Sequence, residues 1–172
     1  MAVRQISREG VEVVRFHPVV VVVVSLLALW VQTTLPVRFP RFELFDLPLL
    51  VTIFFALARR TKVAGTVTGC IIGLAQDAFT HHPLGLFGIA KSAVGFAASS
   101  IGVKMDVENP ASRLILTFIF ALLHGIVFQW VGRGLVQLPV QWNAWQQLGS
   151  AMLNALLAVF LFHLLDRFKR SR

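Results

Sequence analysis

A chain of 172 residues that is 56% hydrophobic and only 14% charged lies well outside soluble composition, where about a quarter of residues carry charge. Its apolar residues run in long blocks instead of recurring on one helix face, which excludes an ordinary water-soluble domain and points to membrane spans of about 20 residues. The formal net charge of +8 does not signify nucleic acid, because the basic residues sit at the ends of apolar blocks without interleaved aromatics.

The first span is expected over residues 18–35, PVVVVVVSLLALWVQTTL. A valine run favours strand in water, but lipid leaves no partner for an open backbone, so the segment becomes a helix. Arg4, Arg8 and Arg15 precede it, and VQTTLPV offers no small-x-small cleavage site; an uncleaved span is expected. Residues 36–46 carry Pro36 and Pro40 among alternating aromatics and charges, a pattern that suits an interfacial segment. The second span, residues 47–58, is short and must tilt or thin the bilayer.

Arg59, Arg60 and Lys62 make a basic turn before a third span over residues 63–79, which His81, His82 and Pro83 end. The fourth span is expected over 84–103, followed by a polar loop over 104–113, a fifth span over 114–131 and a sixth over 147–165. Between the last two, Trp130, Trp142 and Trp145 suit the headgroup belt. The chain thus reads as a single all-α domain of six spans.

Six spans put both termini on one side. With the termini inside, the cytoplasmic segments hold Arg4, Arg8, Arg15, Arg59, Arg60, Lys62, Lys104, Arg113, Arg167, Lys169, Arg170 and Arg172, against Arg38, Arg41 and Arg133 outside. That bias is the positive-inside pattern and places both termini in the cytoplasm. The basic tail also suits an anchor on anionic lipid.

The third span, AGTVTGCIIGLAQDAF, places Gly65, Gly69, Gly73 and Asp77 four apart along one flank. Membrane helices associate through close packing and polar contacts, so such a flank forms a groove for another helix, either in the same chain or from a partner. The fourth span is also rich in small residues, with Gly85, Gly88, Ser92, Gly95 and Ser99, and Lys91 sits inside it. A charge at membrane depth is expensive and usually paired. An Asp77–Lys91 contact clamping spans three and four is expected, with snorkelling of Lys91 as the competing account.

Little here suggests chemistry. His124 and His163 are scattered in spans five and six, and His81 and His82 lie in a loop. No Ser-His-Asp set, HExxH or GxxxxGK[ST] motif is present. Cys70 is the single cysteine, so neither an internal disulfide nor a cysteine metal cluster forms. No enzyme, metal site or cofactor is expected. A channel would need a polar stripe along several spans, and none is expected.

The stretch 46–102 resembles the MreD family of rod shape-determining proteins. The resemblance rests on Asp46-Leu47 opening the second span, Ala58-Arg59-Arg60 at the turn, Gly73-Leu74 with Asp77, Pro83-Leu84-Gly85, and Gly95. The turn Thr61-Lys62-Val63 and Lys91 depart from the family pattern. The resemblance implies a non-enzymatic inner-membrane subunit of the bacterial elongation machinery. It would bind MreC and couple MreB filaments to RodA and its partner transpeptidase in side-wall peptidoglycan synthesis; a homodimer is compatible with it. It also implies a fold similar to the substrate-binding subunits of energy-coupling-factor transporters. Such a subunit is the alternative reading, and it would need a cavity with converging polar groups, for which Asp77, His81, His82, Arg133 and Gln137 are the outer-side candidates.

Overall fold

The computed structural model describes residues 16–103, 109–135, 137 and 143–168. Helices α1 (Pro18–Arg38), α2 (Leu47–Arg59), α3 (Lys62–Thr80), α4 (Leu86–Gly102), α5 (Pro110–Gly134) and α6 (Ala144–Asp166) form a bundle, with a 3₁₀ turn at Pro40–Leu44 between the first two. No strand occurs among the described residues. α1, α3, α5 and α6 are long and apolar enough to cross a membrane, and the chain is an all-α membrane protein. Arg4, Arg8, Arg15, Lys104, Trp142, Lys169, Arg170 and Arg172, which entered the charge and belt arguments, lie outside the described residues.

Helix ends follow local chemistry. His17 and Pro18 start α1, the His17 ring accepting the Val19 N–H at 3.3 Å. Contrary to the expectation of an end at Leu35, α1 runs through Pro36 to Arg38. Proline removes only its own N–H, taking the helical donor from the Gln32 carbonyl, and the Phe39 N–H still closes on the Leu35 carbonyl at 2.8 Å. α5 starts a turn earlier than expected because Asn109 caps it and Pro110 presets its first φ. Arg113 is therefore helical and buried, 2.6 Å from Asp166 at the end of α6. Asn143 caps α6, accepting N–H groups of Trp145 and Gln146.

The short second helix needs no bilayer distortion. Every residue from Pro48 to Ala58 is buried, because α2 packs against all five other helices. At 13 residues it is about 20 Å long, less than a hydrocarbon core of about 30 Å. Its neighbours face the lipid in its place.

The closest packing joins α3 and α4, and it explains the glycine flank. A Cβ on Gly65 would strike the Gly95 carbonyl, one on Gly69 the Lys91 carbonyl, and one on Gly73 the Phe87 carbonyl. The partners descend by four as the glycines ascend by four, an antiparallel ladder of backbone against backbone. Gly95 returns the contact, since its own Cβ would strike the Gly65 carbonyl. Each interior glycine costs about 1 kcal/mol of helix propensity, offset here by interhelix contact that no side chain permits. α4 fills this flank, so Gly65, Gly69 and Gly73 pack within the chain, the first of the two readings, and the alternative of a groove for a second protein is corrected. Gly85 is also corrected: nothing lies within 4 Å of its would-be Cβ, and its glycine is required by a φ of +101° at the start of α4.

Two glycine substitutions separate ladder contact from mere propensity. Gly69→Leu is expected to lower the thermal unfolding midpoint severely or abolish folding, since overpacking against backbone costs at least about 1–3 kcal/mol. Gly149→Ala, with open space around it, is expected to be neutral or to stabilise by up to about 1 kcal/mol. Equal effects at the two sites, measured on purified protein in one membrane mimetic, would refute the ladder.

Candidate functional site

Asp77 ends the glycine flank and completes what the ladder begins. It is fully buried, and its carboxylate accepts the N–H groups of Gly85 at 2.9 Å, Phe87 at 2.9 Å and Gly88 at 3.2 Å. The Leu86 N–H goes to the Pro83 carbonyl at 3.2 Å. Together these satisfy the orphan donors at the start of α4 and place a negative charge on the positive end of its dipole. A carboxylate from α3 thus caps α4.

Lys91 has a different partner from the one expected. Its ammonium lies 2.5 Å from Asp46 Oδ2 and 3.5 Å from His124 Nε2, with the Lys91 side chain wholly buried and that of Asp46 17% exposed. The Asp77–Lys91 clamp is therefore replaced by an Asp46–Lys91 pair. Asp77 is fully engaged by backbone donors, while the ladder sets Lys91 level with Gly69 and its ammonium meets the start of α2. Snorkelling is likewise ruled out by complete burial. Burial pushes the Asp46 carboxyl up, but the Lys91 charge, the His124 ring and the hydrogen bonds from Lys91 and the Leu49 N–H together outweigh it and hold this group, which precedes α2, below the ordinary carboxylate range.

Asp46 gathers the bundle. Its Oδ1 caps α2 by accepting the Leu49 N–H at 2.9 Å, and its own N–H donates to Asn154 Oδ1 of α6 at 2.9 Å. Asn154 Nδ2 and Ser150 Oγ both donate to the Leu44 carbonyl, at 2.9 and 2.5 Å. From α1, Gln32 donates to the Phe45 carbonyl at 2.9 Å and accepts the Leu47 N–H at 3.0 Å. His124 stacks on Phe87, with centroids 5.9 Å apart and planes 8° apart, and so ties α5 to α4. One loop, 44–47, is thereby held by four helices.

Above this loop lies a cavity of about 300 Å³. Asp46 and Leu49 contribute from the start of α2, Gln32 from α1, Gln76 from α3, Phe87 from α4, His124, Phe128 and Gln129 from α5, and Gln147, Ser150 and Asn154 from α6. Exposed Glu43, Asn143 and Gln146 stand at its mouth. None of Asp77, His81, His82, Arg133 and Gln137, the outer-side candidates from sequence, lines it. His81 and His163 are exposed, and His82 packs edge-on against Phe87 at 5.3 Å. Asn143, Gln147, Ser150 and Asn154 recur at three- and four-residue steps, so the first half of α6 does carry a polar stripe, contrary to expectation. No group of three metal-ligating side chains occurs among the described residues.

A double-mutant cycle tests the pair. Lys91→Met and Asp46→Asn should each destabilise the bundle by about 3–5 kcal/mol, since each strands a buried charge. The double variant should lose much less than the sum. Repeating the cycle with Asp77→Asn in place of Asp46→Asn should give a much smaller coupling; Asp77–Lys91 coupling as strong as that of Asp46 would overturn the assignment.

No curated protein and no solved structure matches the chain. The model of the family described as rod shape-determining protein MreD matches residues 14–170, nearly the whole length. The chain belongs to this family of rod-shape-determining membrane proteins.

Proposed function

We propose that this chain is a non-enzymatic scaffold subunit of the bacterial elongation complex, held in the inner membrane with both termini cytoplasmic. In this reading it binds MreC directly. Through the complex it acts with MreB, RodA and RodA's partner transpeptidase to support side-wall peptidoglycan synthesis and cell shape. The family match over residues 14–170 carries the reading.

The physical character of the bundle supports it. The charges at membrane depth have structural duties: Asp77 caps α4, and Lys91 fastens α4 to the Asp46 loop. A rigid body whose internal polar groups lock its own helices is suited to present fixed faces to partners. The basic bias toward one end of the spans supports the cytoplasmic placement of both termini.

Affinity purification of the tagged, full-length protein from native membranes in mild detergent tests this, with mass spectrometry of the recovered proteins. MreC is expected in near-stoichiometric yield, with RodA and its transpeptidase at lower yield. Recovery of paired ATPases and a coupling subunit, without MreC, would overturn the scaffold reading in favour of a transporter subunit.

A further inference from the structure

The cavity at the α2 start has a property that helix packing does not account for. Gln76 lines it and is only 3% exposed, yet its carboxamide oxygen has no hydrogen-bond partner among the described residues. The carboxamide oxygen of Gln129 on α5, a half-buried residue, likewise has no partner among the described residues. A buried acceptor left unsatisfied costs about 1–3 kcal/mol, and both of these belong to side chains that line the one cavity, where packing alone gives them no duty.

The charges around the space define what it takes. The carboxylate at its floor, Asp46, is already neutralised by Lys91, and the remaining carboxylate, Glu43, lies exposed at the mouth. Among the described residues no lysine or arginine lines the cavity, so an anion finds no counter-charge on these walls. A metal ion lacks a ligand set among the described residues. What the walls do offer is carboxamides, from Gln76, Gln129, Gln146 and Gln147 among others. Each carboxamide presents both donors and an acceptor, the complement of hydroxyl groups that do the same.

Shape narrows the class further. Phe87, Phe128 and His124 form an apolar wall in which the two phenyl rings are 4.7 Å apart and tilted by 39°. Rings already packed on one another leave no parallel slot to sandwich a planar base, but their outer faces suit the C–H face of a saturated ring. A volume of about 300 Å³ is at the lower limit of ligand sites and suits one ring, not two.

We propose that this cavity binds a single uncharged sugar ring, with the carboxamides of Gln76 and Gln129 hydrogen-bonding its hydroxyl groups and the Phe87–Phe128 wall packing its apolar face. The ring arrives either as a free sugar or as the headgroup of a glycolipid, and both have access to a mouth beside the interfacial 3₁₀ turn. The proposal goes beyond the scaffold reading and does not depend on which proteins the bundle contacts.

The test uses full-length protein in phosphatidylglycerol nanodiscs prepared without sugar-headed detergent. One arm adds glucose, galactose or mannose and follows the thermal unfolding midpoint. The other incorporates glucosyl diacylglycerol in the nanodiscs and follows the midpoint and lipid retention by native mass spectrometry. A ligand that binds only the folded state raises the midpoint. A rise in the first arm identifies a free sugar, and a rise confined to the second identifies a glycolipid headgroup. Gln76→Leu is expected to fold, because replacing an unpartnered buried amide with an apolar group of similar size removes a desolvation cost. It should weaken binding at least about tenfold, the loss of one good hydrogen bond, and Gln129→Leu provides the same readout if that variant misfolds. No midpoint rise in either arm would overturn the proposal and leave a hydrated cavity, and undiminished binding by these variants would overturn it by placing the sugar elsewhere.

Discussion

The approach of α3 to α4 at backbone distance is the constraint on which the rest of the site depends. With Gly95 against Gly65, Lys91 against Gly69 and Phe87 against Gly73, α4 has one available register. A slip of one residue would put side chains where only carbonyls fit. Asp77 fixes the same register from the end, since its carboxylate fits the first turn of α4 and no other part of it. Because α4 cannot slide or rotate, the Lys91 side chain is delivered to the start of α2 and the Phe87 ring to the cavity wall. Packing in the membrane, where apolar burial between helices supplies little driving force, thus becomes a positioning device.

The Asp46–Lys91 pair is better understood as specifying an arrangement than as adding stability. Desolvating two charges offsets much of their attraction, and an apolar pair of the same volume is often as stable. Here, however, the alternatives are restricted. Once Lys91 is fixed in the interior by the ladder, any arrangement of the bundle that withdraws Asp46 leaves a bare ammonium out of reach of water. The same carboxylate caps α2, and the backbone beside it is held by Gln32, Ser150 and Asn154. A single residue therefore couples the orientation of α2 to α1, α4 and α6, and through His124 to α5.

Much of this was legible in the sequence, and the misses share one cause. Spans, the short second helix, the small-residue flank and the need of Lys91 for a partner all follow from local spacing and from the cost of charge in lipid. Asp46 was also readable as a helix cap, since an aspartate before Leu47-Pro48 is a standard start signal. Its role as the partner of Lys91 was not, because the two lie 45 residues apart and only the rotation of α4 about its axis decides which carboxylate the ammonium meets. Asp77 looked closer because it is on the adjacent helix. No one-dimensional pattern reveals that its lone pairs are already taken by α4 backbone. The glutamines were overlooked for a related reason. Gln32, Gln76, Gln129 and Gln147 come from four different helices, so none stands out until the bundle brings them together, although the three- and four-residue steps from Asn143 to Asn154 were there to be counted.

The position of the cavity follows from the length of α2. The tight turn from Arg59 to Lys62 ties α2 to α3 at one end of the bundle, so any deficit in length appears at the other. α2 has 13 residues, while α1 has 21, α5 has 25 and α6 has 23, a difference of about 12–18 Å at 1.5 Å per residue. Above the start of α2 the bundle has walls and no centre. Filling that space with apolar side chains would have required a longer second helix. The chain instead brings in the 3₁₀ segment and its loop, whose backbone groups need partners, and the surrounding helices supply them with Gln32, Ser150 and Asn154. Polar walls are thus a consequence of a truncated central helix. Gln76 and Gln129 are the exceptions, because no loop carbonyl or amide reaches their carboxamide oxygens. Backbone satisfaction explains the first group and leaves the second without a structural duty, so those two carboxamides are left for a ligand.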